Sequence, residues 1–515
     1  MATWTDCDGW WLLAAALMAA AAIAYLFCTS TYGYWRDRKV PWLRPTVPLF
    51  GNLTWQLLGM ERSTDMIQNA YNAFSGHRYG GIYQMRMPFL IVRDPVLINR
   101  MLIKDFTHFT DHGLYKPLPT ENRLANGLFI MNGDQWKTMR AKLSPGFASS
   151  KLKHMHGQMK ECGEELMRNV AGAVATGGHV FEVRDVLGRY ATDVIGTCAF
   201  GLQLNTINDD QSPFRRYGKT VFKPSLRVLL SQIAWMVSPA LRKALHVYEI
   251  PLDTIEFFDN TFTDTVRYRE RNNVVRDDLM QSLIKARDDL VVNKTVPSVK
   301  FEETDILANA FLLFAVGFES VSTAASLCLY ELALHKQIQD RVREEINTVK
   351  FKYNGEMNNE FLIDLQYLEM VLAETMRKYP PVSTLFREAT KDYQVPDDTL
   401  VIEKGTKVLI PVHALHHDPE FYPDPQAFDP ERFTPEEKAK RPSGTYLPFG
   451  DGPRICIGKR FSEMEMKLAL TEILIKYEVE PCDKTEIPIT FSMNAVANLP
   501  ANGVWLKFKP IQYPK

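Results

Sequence analysis

Hydrophobic residues recur at helical spacing along most of the chain, and this pattern predicts a mainly α-helical protein with a minor β part. Apolar positions three and four residues apart predict helices at residues 135–140, 152–175, 185–200, 254–272, 304–334, 365–378 and 461–477. Runs rich in β-branched and aromatic residues predict short strands at residues 82–92 (a hairpin broken around Pro88), 386–390, 407–411 and within 487–509. The proline-rich residues 413–442 predict an irregular connection.

The N-terminal region contains a predicted membrane anchor at residues 9–28. This stretch carries no charged residue, and as a helix it would rise about 30 Å, the thickness of a bilayer core. Charged residues flank it on both sides: Asp6 and Asp8 before it, and Arg36, Arg38, Lys39 and Arg44 after it. The positive-inside rule therefore predicts a luminal N-terminus, residues 1–8, and a cytosolic body. A cleaved signal peptide is the alternative, but its apolar region is shorter, roughly 7–15 residues, and follows a basic segment.

The rest of the chain predicts one linker and one large domain. Residues 29–50 are basic and contain Pro41, Pro45 and Pro48, which rule out a continuous helix and indicate a stiff spacer. Residues 51–515 contain no Gly/Ser-rich run or repeat, so we predict a single domain, although 515 residues could form about three. A net charge of −1 gives no reason to expect nucleic-acid binding. Seven cysteines without framework spacing indicate a reducing compartment and no disulfides.

The most informative chemistry lies in the turn-rich residues 449–458, Phe-Gly-Asp-Gly-Pro-Arg-Ile-Cys-Ile-Gly, directly ahead of a predicted helix. A cysteine before a helix N-terminus is biased toward the thiolate, the form that binds a soft or borderline metal. Glycines allow the loop to approach a flat, rigid body closely, and Arg454 offers a positive charge for an acidic group on that body. A phosphate-binding loop is excluded, because five residues separate Gly452 from Gly458 and Arg460 stands where Ser or Thr is required.

Zinc binding is excluded for all seven cysteines, and a structural role fits every cysteine except Cys456. Zinc sites need paired ligands, and the seven cysteines are all widely spaced. A buried structural cysteine is the usual role of a lone Cys. We expect that role for the other six: Cys7, Cys28, Cys162, Cys198, Cys328 and Cys482.

The Phe-x-x-Gly-x-Arg-x-Cys-x-Gly spacing of residues 449–458 resembles the axial-ligand loop of the haem-thiolate monooxygenases, the cytochrome P-450 superfamily. Further motifs follow in superfamily order from Pro41 to Gly458, and residues 268–273 look most like the insect microsomal family usually numbered six. The resemblance implies a single haem-thiolate monooxygenase fold behind one transmembrane helix. It also implies haem b as the cofactor, with Cys456 as its axial thiolate ligand, whose electron donation favours O–O cleavage.

The resemblance further implies which residues contact the haem: Trp136, Arg140, Gly317, Arg387, Phe449, Arg454 and Gly458. Arginines from distant segments suit the haem propionates, because a guanidinium binds a carboxylate bidentately. Without the resemblance, Trp136 and Arg140 would indicate only a partly buried indole beside a surface arginine, one helical turn apart.

Glu374 and Arg377 lie three residues apart on one face of a predicted helix, and by themselves they predict only a weak surface ion pair. Two prolines end that helix, and Phe-Asp-Pro-Glu-Arg-Phe follows at residues 428–433. This order is similar to the Glu-Arg-Arg triad of the superfamily. The resemblance therefore implies a structural triad of Glu374, Arg377 and Arg432, in which buried arginines are paired with the acid.

Glu319 and Ser320 place an acid beside an alcohol in the middle of an apolar predicted helix, a local inconsistency that often marks a functional site. The superfamily pattern here is a small residue, Gly, any residue, an acid and two hydroxyl residues, and it implies proton delivery by Glu319 and Ser320. The chain departs from it at Val316, at Ser320, where Thr is usual, and at Val321. A helix serine bonded to its own backbone is the alternative for Ser320.

The implied activity is insertion of one oxygen atom of dioxygen into a lipophilic small molecule, with reduction of the other atom to water. Electrons would come from NADPH through a separate flavoprotein reductase, with cytochrome b5 as a further donor, because the chain contains no Gly-x-Gly-x-x-Gly loop. The implied location is the endoplasmic reticulum membrane. A haem-thiolate isomerase or dehydratase and a non-catalytic haem-binding sensor or carrier are the alternatives, but the presence of both Glu319 and Ser320 favours oxygen chemistry.

Substrate contacts are implied at residues 114–130, 222–237, 382–385 and 495–499. Their apolar and aromatic content favours a lipophilic substrate, although it is equally typical of a protein core. Residues 228–237 predict either contact with membrane lipid or an amphipathic core helix. The sequence does not identify the substrate.

Overall fold

Helices account for most of the protein, and short strands form a minor part. The computed structural model describes residues 5–114, 126–222, 250–293, 298–493 and 498–511, together with residues 124, 230, 231, 234, 238, 244, 295 and 296. The helices are α1 (Thr5–Thr29), α2 (Tyr34–Asp37), α3 (Thr54–Leu57), α4 (Ser63–Ala73), α5 (Pro95–Asn99), α6 (Gly133–Leu143), α7 (Ser149–Ala175), α8 (Val183–Ile195), α9 (Pro213–Phe222), α10 (Leu252–Arg271), α11 (Leu279–Arg287), α12 (Glu303–Leu334), α13 (Lys336–Lys352), α14 (Asn359–Asp364), α15 (Gln366–Lys378), α16 (Val412–His416), α17 (Pro435–Lys440) and α18 (Lys459–Lys476). The strands are β1 (Tyr79–Gln84), β2 (Met87–Val92), β3 (Val180–Glu182), β4 (Leu385–Glu388), β5 (Tyr393–Gln394), β6 (Val401–Ile402), β7 (Lys407–Ile410), β8 (Tyr477–Pro481) and β9 (Trp505–Pro510). The predicted mainly helical fold is confirmed.

Helix α12 runs through the larger hydrophobic core. It is apolar on nearly all sides, as expected of a helix inside a large protein, and Phe314, Leu327 and Leu329 are fully buried. A capping box closes its first turn, because the side chains of Glu302 and Asp305 each accept a backbone N–H from the other end of the turn. The helix therefore provides a long, rigid framework for the site.

Two helices among the described residues are long and apolar enough to cross a membrane, and their surroundings differ. α12 is mostly buried by the rest of the chain. α1 is not buried over residues 10–29, and large apolar side chains such as Trp10, Leu17 and Leu26 are exposed. Exposure of so much apolar surface favours a lipid environment for α1, in keeping with the anchor predicted at residues 9–28.

A four-stranded sheet has the strand order β1-β2-β7-β4, and its strand β4 contains Arg387, one of the residues predicted to contact haem. β1 and β2 form an antiparallel hairpin, β2 pairs in parallel with β7, and β7 pairs antiparallel with β4. The predicted break at Pro88 is wrong. Pro88 pairs with Tyr83 inside the hairpin, and the chain turns at Met85, whose φ is 54°. Proline is tolerated there because it lies next to the turn, at the start of its strand.

A second sheet, in the order β3-β9-β8, joins the C-terminal residues to the start of α8. Within the described part of residues 487–509, β9 is the regular strand, and Phe491 and Pro500 form an isolated bridge. The C-terminal β prediction is therefore confirmed for β9. Its partner β8 follows directly on from α18, at the end of a run predicted as helix.

The segment after α1 packs on the first sheet instead of forming a free spacer. Trp35 is 1% exposed, its ring N–H donates to the carbonyl of Ile82 at 3.2 Å, and its backbone N–H donates to the hydroxyl of Tyr83 at 3.1 Å. A Cβ added at Gly81 would lie 2.4 Å from the Trp35 ring, so glycine is needed there to admit the indole. The part of residues 29–50 around Trp35 thus belongs to the folded body, because the body buries its indole.

Candidate active site

Residues 449–458 form a tight loop at the N-terminus of α18. The N–H of Cys456 donates to the carbonyl of Phe449 at 2.9 Å, which closes the loop on itself. The Asp451 carboxylate accepts from the N–H of Gly452 at 2.7 Å and starts a single 3₁₀ turn. These bonds hold Cys456 just ahead of the helix.

Gly452 is a position in this loop where only glycine fits. Its φ is +69°, and a Cβ added there would lie 1.9 Å from the carbonyl oxygen of Leu102. The loop therefore lies directly against the backbone after α5. Gly458 has an ordinary φ of −89° and stands at the N-cap of α18, where its N–H forms a hydrogen bond with the Cys456 thiol.

The Cys456 side chain is solvent-accessible, although protein surrounds it closely enough to affect its protonation. Burial raises the pKa of the Cys456 thiol, while the N–H of Gly458 and the guanidinium of Arg140 act in the opposite direction. The bias toward thiolate expected from the helix N-terminus is therefore outweighed by desolvation in the protein alone. A coordinating metal ion reverses this balance, because a metal-bound thiol is deprotonated.

Three basic side chains from distant segments meet beside the loop: His112, Arg387 and Arg454. Burial lowers the pKa of Arg387 to about 10, and burial together with the nearby Arg387 lowers the pKa of Arg454 to about 9. Burial, and then both arginines, hold the pKa of His112 well below its usual value. One carboxylate, Asp111, lies 3.9 Å from Arg454. The cluster thus carries an excess of positive charge, which is costly to bury without an anion.

The unused donors of this cluster fit a dianionic cofactor. Arg454 donates to the carbonyls of Thr110, Leu128 and Met131, at 2.9, 3.3 and 2.8 Å, and its guanidinium retains further N–H groups. Arg387 donates to the carbonyl of the preceding residue at 2.7 Å, and its buried Nε has no hydrogen-bond partner among the described residues. A buried guanidinium N–H of this kind calls for an acceptor, and the propionates of haem would supply one.

Trp136 and Arg140, one turn apart on α6, lie at the same place. The Arg454 guanidinium stands over the Trp136 ring, 4.1 Å from its centroid, and burial lowers the pKa of Arg140. Arg140 is close enough to Cys456 for each charge to influence the other. The structure thus brings most of the predicted cofactor residues together around one loop: Trp136, Arg140, Arg387, Phe449, Arg454, Cys456 and Gly458.

The predicted acid, Glu319, is buried and forms an ion pair with Arg184 of α8. The same guanidinium lies 3.4 Å from the hydroxyl of Thr323, one turn further along α12. The carboxylate of Glu319 is therefore held by a cation on the neighbouring helix. A proton that passes through Glu319 has to pass this ion pair or a bridging water.

Ser320 lies on an accessible face of α12. Val316, one turn earlier, is 42% exposed although most of the helix is buried, and Ser320 is exposed as well. The Ser320 hydroxyl donates to the carbonyl of Val316 at 2.8 Å, the bond of an ordinary helix serine. Its part in proton delivery stays a prediction.

Gly317 lies against Ile195 of α8, where an added Cβ would be 3.0 Å from that side chain. Close packing of α12 on α8 is therefore a sufficient physical reason for glycine at this position. The predicted contact between Gly317 and haem stays a prediction.

Glu374, Arg377 and Arg432 also come together. Arg377 binds the Glu374 carboxylate through two bonds of 2.7 and 2.8 Å, and both side chains are fully buried. Arg432 Nε lies 3.5 Å from the same carboxylate. Arg377 donates further bonds to backbone carbonyls of the irregular segment: His416, Pro425 and Ala427. The three charges therefore tie residues 413–442 to α15.

Two residues at the site have no signal in the sequence, namely Arg184 and His112. Arg184 meets Glu319 across 135 residues of chain, and His112 meets its arginine neighbours across a longer interval. Neither residue belongs to a recognisable motif. A local pattern contains no information on such contacts, so only the folded structure reveals them.

The segments predicted to contact substrate are only partly described. Residues 115–123, 125, 223–229, 232, 233, 235–237 and 494–497 lie outside the described residues, so the prediction of lipid contact at 228–237 falls almost wholly outside them. The described end of the first segment rests on α12. The Asn309 side chain accepts from the N–H of Leu128 at 2.9 Å, and a Cβ added at Gly127 would lie 3.0 Å from Leu312.

A mainly helical fold with one cysteine loop beside a buried cationic cluster defines a haem-thiolate protein. Comparison with known proteins agrees with this class, because the family model for cytochrome P-450 matches residues 41–507. Similar proteins include the probable cytochrome P-450 6a14 of Drosophila melanogaster, 36% identical over 500 residues that cover 95% of this chain and 97% of that protein. Cytochrome P-450 6a2 of the same fly is 38% identical over 504 residues (96% and 98% coverage), and cytochrome P-450 6k1 of Blattella germanica is 35% identical over 516 residues (98% and 97%).

The chain belongs to the cytochrome P-450 family. It is a haem-dependent monooxygenase with haem b as its cofactor, and it uses dioxygen, a small-molecule substrate and a redox partner. The predicted similarity to the insect family numbered six is confirmed.

Proposed function

We propose that the protein oxygenates lipophilic small molecules at the cytosolic side of the endoplasmic reticulum membrane, with electrons from an NADPH-dependent flavoprotein reductase. The observation that carries the proposal is the pair of buried guanidinium groups of Arg387 and Arg454, with His112 near both of them and the Cys456 loop in the same cluster. It supports binding of a dianionic haem, and the Cys456 thiolate would hold the haem iron. When bound, the haem supplies the iron centre at which dioxygen is activated.

The side chains around the loop have separate roles in this proposal. Trp136, Arg140, Arg387 and Arg454 would bind and orient the haem propionates, and the backbone between Phe449 and Gly458 would lie against the cofactor. Gly317, which packs on Ile195 of α8, would keep α12 free of a side chain at that position. Glu319 and Ser320 hold and pass protons at a carboxylate and a hydroxyl oxygen. The triad of Glu374, Arg377 and Arg432 keeps the segment before the loop in place.

Accessible apolar side chains support a lipophilic substrate. Phe129 and Val382 are 47% and 46% exposed, and both lie in segments that contact the cysteine loop, the first through the Leu128 carbonyl bonded to Arg454 and the second through Leu385 beside Gly450. Val316 on α12 is 42% exposed. Apolar walls with few polar groups are typical of sites for small lipophilic molecules. Water is poorly held by such walls, which favours exclusion of solvent once a substrate binds.

A second protein is needed to supply electrons, because no nucleotide-binding loop occurs in the sequence. Lys137 on α6 and Arg460 at the start of α18 are exposed beside the cysteine loop. Exposed cations of this kind support docking of an acidic electron donor, the reductase or cytochrome b5. The exposed helix α1, followed by basic residues, supports a single-pass anchor with the catalytic domain in the cytosol.

Reconstitution of the full chain with NADPH–flavoprotein reductase tests the proposed function. We expect substrate-stimulated NADPH consumption together with an oxygenated product from a panel of lipophilic compounds. Conversion without reductase would instead indicate an isomerase or dehydratase. Haem binding without any turnover would indicate a sensor or carrier, and either result would contradict the proposal.

The cysteine ligand has its own test. The reduced CO adduct of the wild type should show the red-shifted Soret band of thiolate ligation, and Cys456→His should abolish that band even where haem stays bound. Cys482→Ser is the matched control, because Cys482 is a half-buried thiol near the C-terminal sheet, and the band should persist. A wild type that never shows the band would refute the assignment.

A further inference from the structure

Asn498 joins three segments that are far apart in the chain. Its side-chain N–H donates to the carbonyl of Pro380 at 2.8 Å, and its backbone N–H donates to the carbonyl of Pro381 at 3.3 Å. The hydroxyl of Thr64, in the first turn of α4, donates to its side-chain oxygen at 3.3 Å. Asn498 is 7% exposed, so water competes little for these bonds.

The two prolines explain why an amide is needed here. Pro380 and Pro381 follow the end of α15 and lack N–H groups, so this stretch cannot attach itself to a neighbour by donating hydrogen bonds. Its carbonyls have to accept from another segment. A side-chain amide is suited to this position because it donates to one partner and accepts from another at the same time.

The residues after the prolines lie over the candidate active site. The Leu385 methyl groups are 3.9 Å from the position of a Cβ on Gly450, which belongs to the cysteine loop. Arg387, two residues later, belongs to the cationic cluster. Between them and the prolines, Val382 is accessible, and the buried Thr384 hydroxyl has no hydrogen-bond partner among the described residues. A displacement of the prolines would therefore move residues 382–385 across the site.

We propose that Asn498 is a positioning residue, which sets the distance of residues 382–385 from the Cys456 loop and so selects the size and orientation of the molecule bound beside the haem. The proposal rests on the proposed function, because it assumes that haem binds at Cys456. Truncation of the amide leaves the buried carbonyl of Pro380 without its donor. The segment that contains Pro380 is then expected to shift toward another hydrogen-bond donor. This shift changes the space above the cysteine loop.

Spectral titration of the full-length holoprotein with imidazole and with 4-phenylimidazole measures that space without turnover. Both compounds bind haem iron through nitrogen, and only the second needs room for a phenyl ring. For Asn498→Ala we expect the ratio of the two dissociation constants to change about tenfold, the equilibrium effect of one buried hydrogen bond. The CO-reduced spectrum of the variant should stay that of the wild type.

Asn52 provides a matched control in the same chain. It is also 7% exposed, and its side chain makes three bonds where that of Asn498 makes two: to the carbonyls of Leu43 and Pro45 at 3.2 and 3.1 Å and from the N–H of Tyr83 at 2.8 Å. Asn52→Ala should therefore lose at least as much stability, through bonds to Leu43, Pro45 and Tyr83, none of which belongs to residues 382–385 or to the cysteine loop. For Asn52→Ala the ratio of the dissociation constants of the two azoles should remain within about twofold of the wild type, since no bond near the site is lost.

A wild-type ratio in Asn498→Ala, or an equal change in Asn52→Ala, would overturn the proposal. If Asn498→Ala fails to bind haem, Asn498→Asp decides, because a carboxylate keeps the shape of the side chain but cannot donate to the Pro380 carbonyl. A changed ratio in Asn498→Asp supports the proposal, and an unchanged one overturns it. Failure of the proposed function is distinguishable, since it would appear as a wild type that binds both azoles but forms no oxygenated product with the reductase.

Discussion

Glu319 and Ser320 are neighbours in the chain but lie in different surroundings. The carboxylate of Glu319 is buried in an ion pair with Arg184, whereas the hydroxyl of Ser320 is accessible and donates to the carbonyl of Val316. That bond uses the hydroxyl hydrogen and leaves the oxygen lone pairs able to accept. A proton relay between the two residues therefore needs a bridging water, and Ser320 is the member that solvent can reach.

Removal of the Ser320 hydroxyl tests this relay. We expect Ser320→Ala to retain haem and substrate-induced spectral shifts, but to form less product and more hydrogen peroxide per NADPH. Proton transfer by a positioned group contributes about 10²–10⁴-fold, of which a bridging water would mask a large part. Ser320→Thr should keep or improve coupling, because threonine is stiffer at χ1.

Ser322→Ala is the matched control for Ser320. Ser322 lies in the same helix and donates to the carbonyl of Glu319 at 3.1 Å, but it is buried. Its coupling of NADPH to product should equal that of the wild type. Unchanged product and peroxide in Ser320→Ala would show that Ser320 is only a helix residue.

The cysteine loop is held at the scale of an element by its contact with the backbone after α5. Gly452→Ala should lower the free energy of unfolding by more than the about 1–2 kcal/mol cost of a left-handed φ, because its Cβ would collide with the Leu102 carbonyl. Gly59→Ala is the control: Gly59 has a φ of +68° and nothing within 4 Å of an added Cβ. Chemical denaturation measures the free energy of unfolding of the two variants, and the haem content of each is measured alongside. Equal losses in the two variants would contradict the tight fit of the loop.

His416, buried in α16, and His417, half-buried at the end of that helix, stabilise the approach to the loop only while neutral. His416 accepts from the N–H of Leu447 at 2.9 Å and pairs with the carbonyl of Arg377 at 3.1 Å, and burial, then the positive charges of His417 and Arg377, hold its pKa well below 6.5. Burial likewise lowers the pKa of His417 to about 4. The unfolded chain therefore binds more protons between these values, so stability rises with pH in that window.

Stability should accordingly be full above about pH 6.5 and fall as the pH drops toward 4. Melting temperatures of the holoprotein at pH 7.5, 6.5 and 5.5 measure this, in a range above the titration of ordinary carboxylates. His417→Gln should flatten the slope, whereas His154→Gln, at an exposed position, should leave it unchanged. An equal slope in all three proteins would refute the role of the buried histidines.

Elements with a long repeating apolar face could be predicted from the sequence. α12 was expected at 304–334 and runs over Glu303–Leu334, and α7 was expected at 152–175 and runs over Ser149–Ala175. α4 and α13 lie outside the predicted elements. In α13 the apolar residues form one narrow stripe between charged positions, a weak signal by composition.

Contacts between distant parts of the chain could not be predicted in the same way. β2 pairs in parallel with β7, so that Phe89 meets Lys407, and Glu319 meets Arg184 on another helix. Such pairs depend on packing of the whole chain, which no local period contains. At the site, the cysteine loop is visible as a motif, whereas the convergence of Arg387 and Arg454 was expected only from the resemblance to a family.

Orientation in the membrane is a property of the whole molecule, and Asn293 reports on it. Asn293-Lys294-Thr295 has the form of a glycosylation site and Asn293 is exposed, whereas the amide of Asn52 in the other such sequence is buried and bonded. A cytosolic body should leave Asn293 without sugar, as measured by endoglycosidase treatment of microsomes. Protease added to intact microsomes should digest the body without detergent. Endoglycosidase-sensitive sugar on Asn293 would contradict the proposed orientation.

Burial of Trp35 determines where the anchor can be removed to obtain a water-soluble enzyme. A cut after Thr29 deletes α1 and leaves the Trp35 indole packed against Gly81 and hydrogen-bonded to the carbonyl of Ile82. A cut at the prolines near residue 41 would also delete Trp35 and open a hole of indole size over β1, with a loss of about 3–5 kcal/mol. A shortened enzyme that keeps residue 30 onward should thus remain folded, whereas one that begins at the prolines should aggregate.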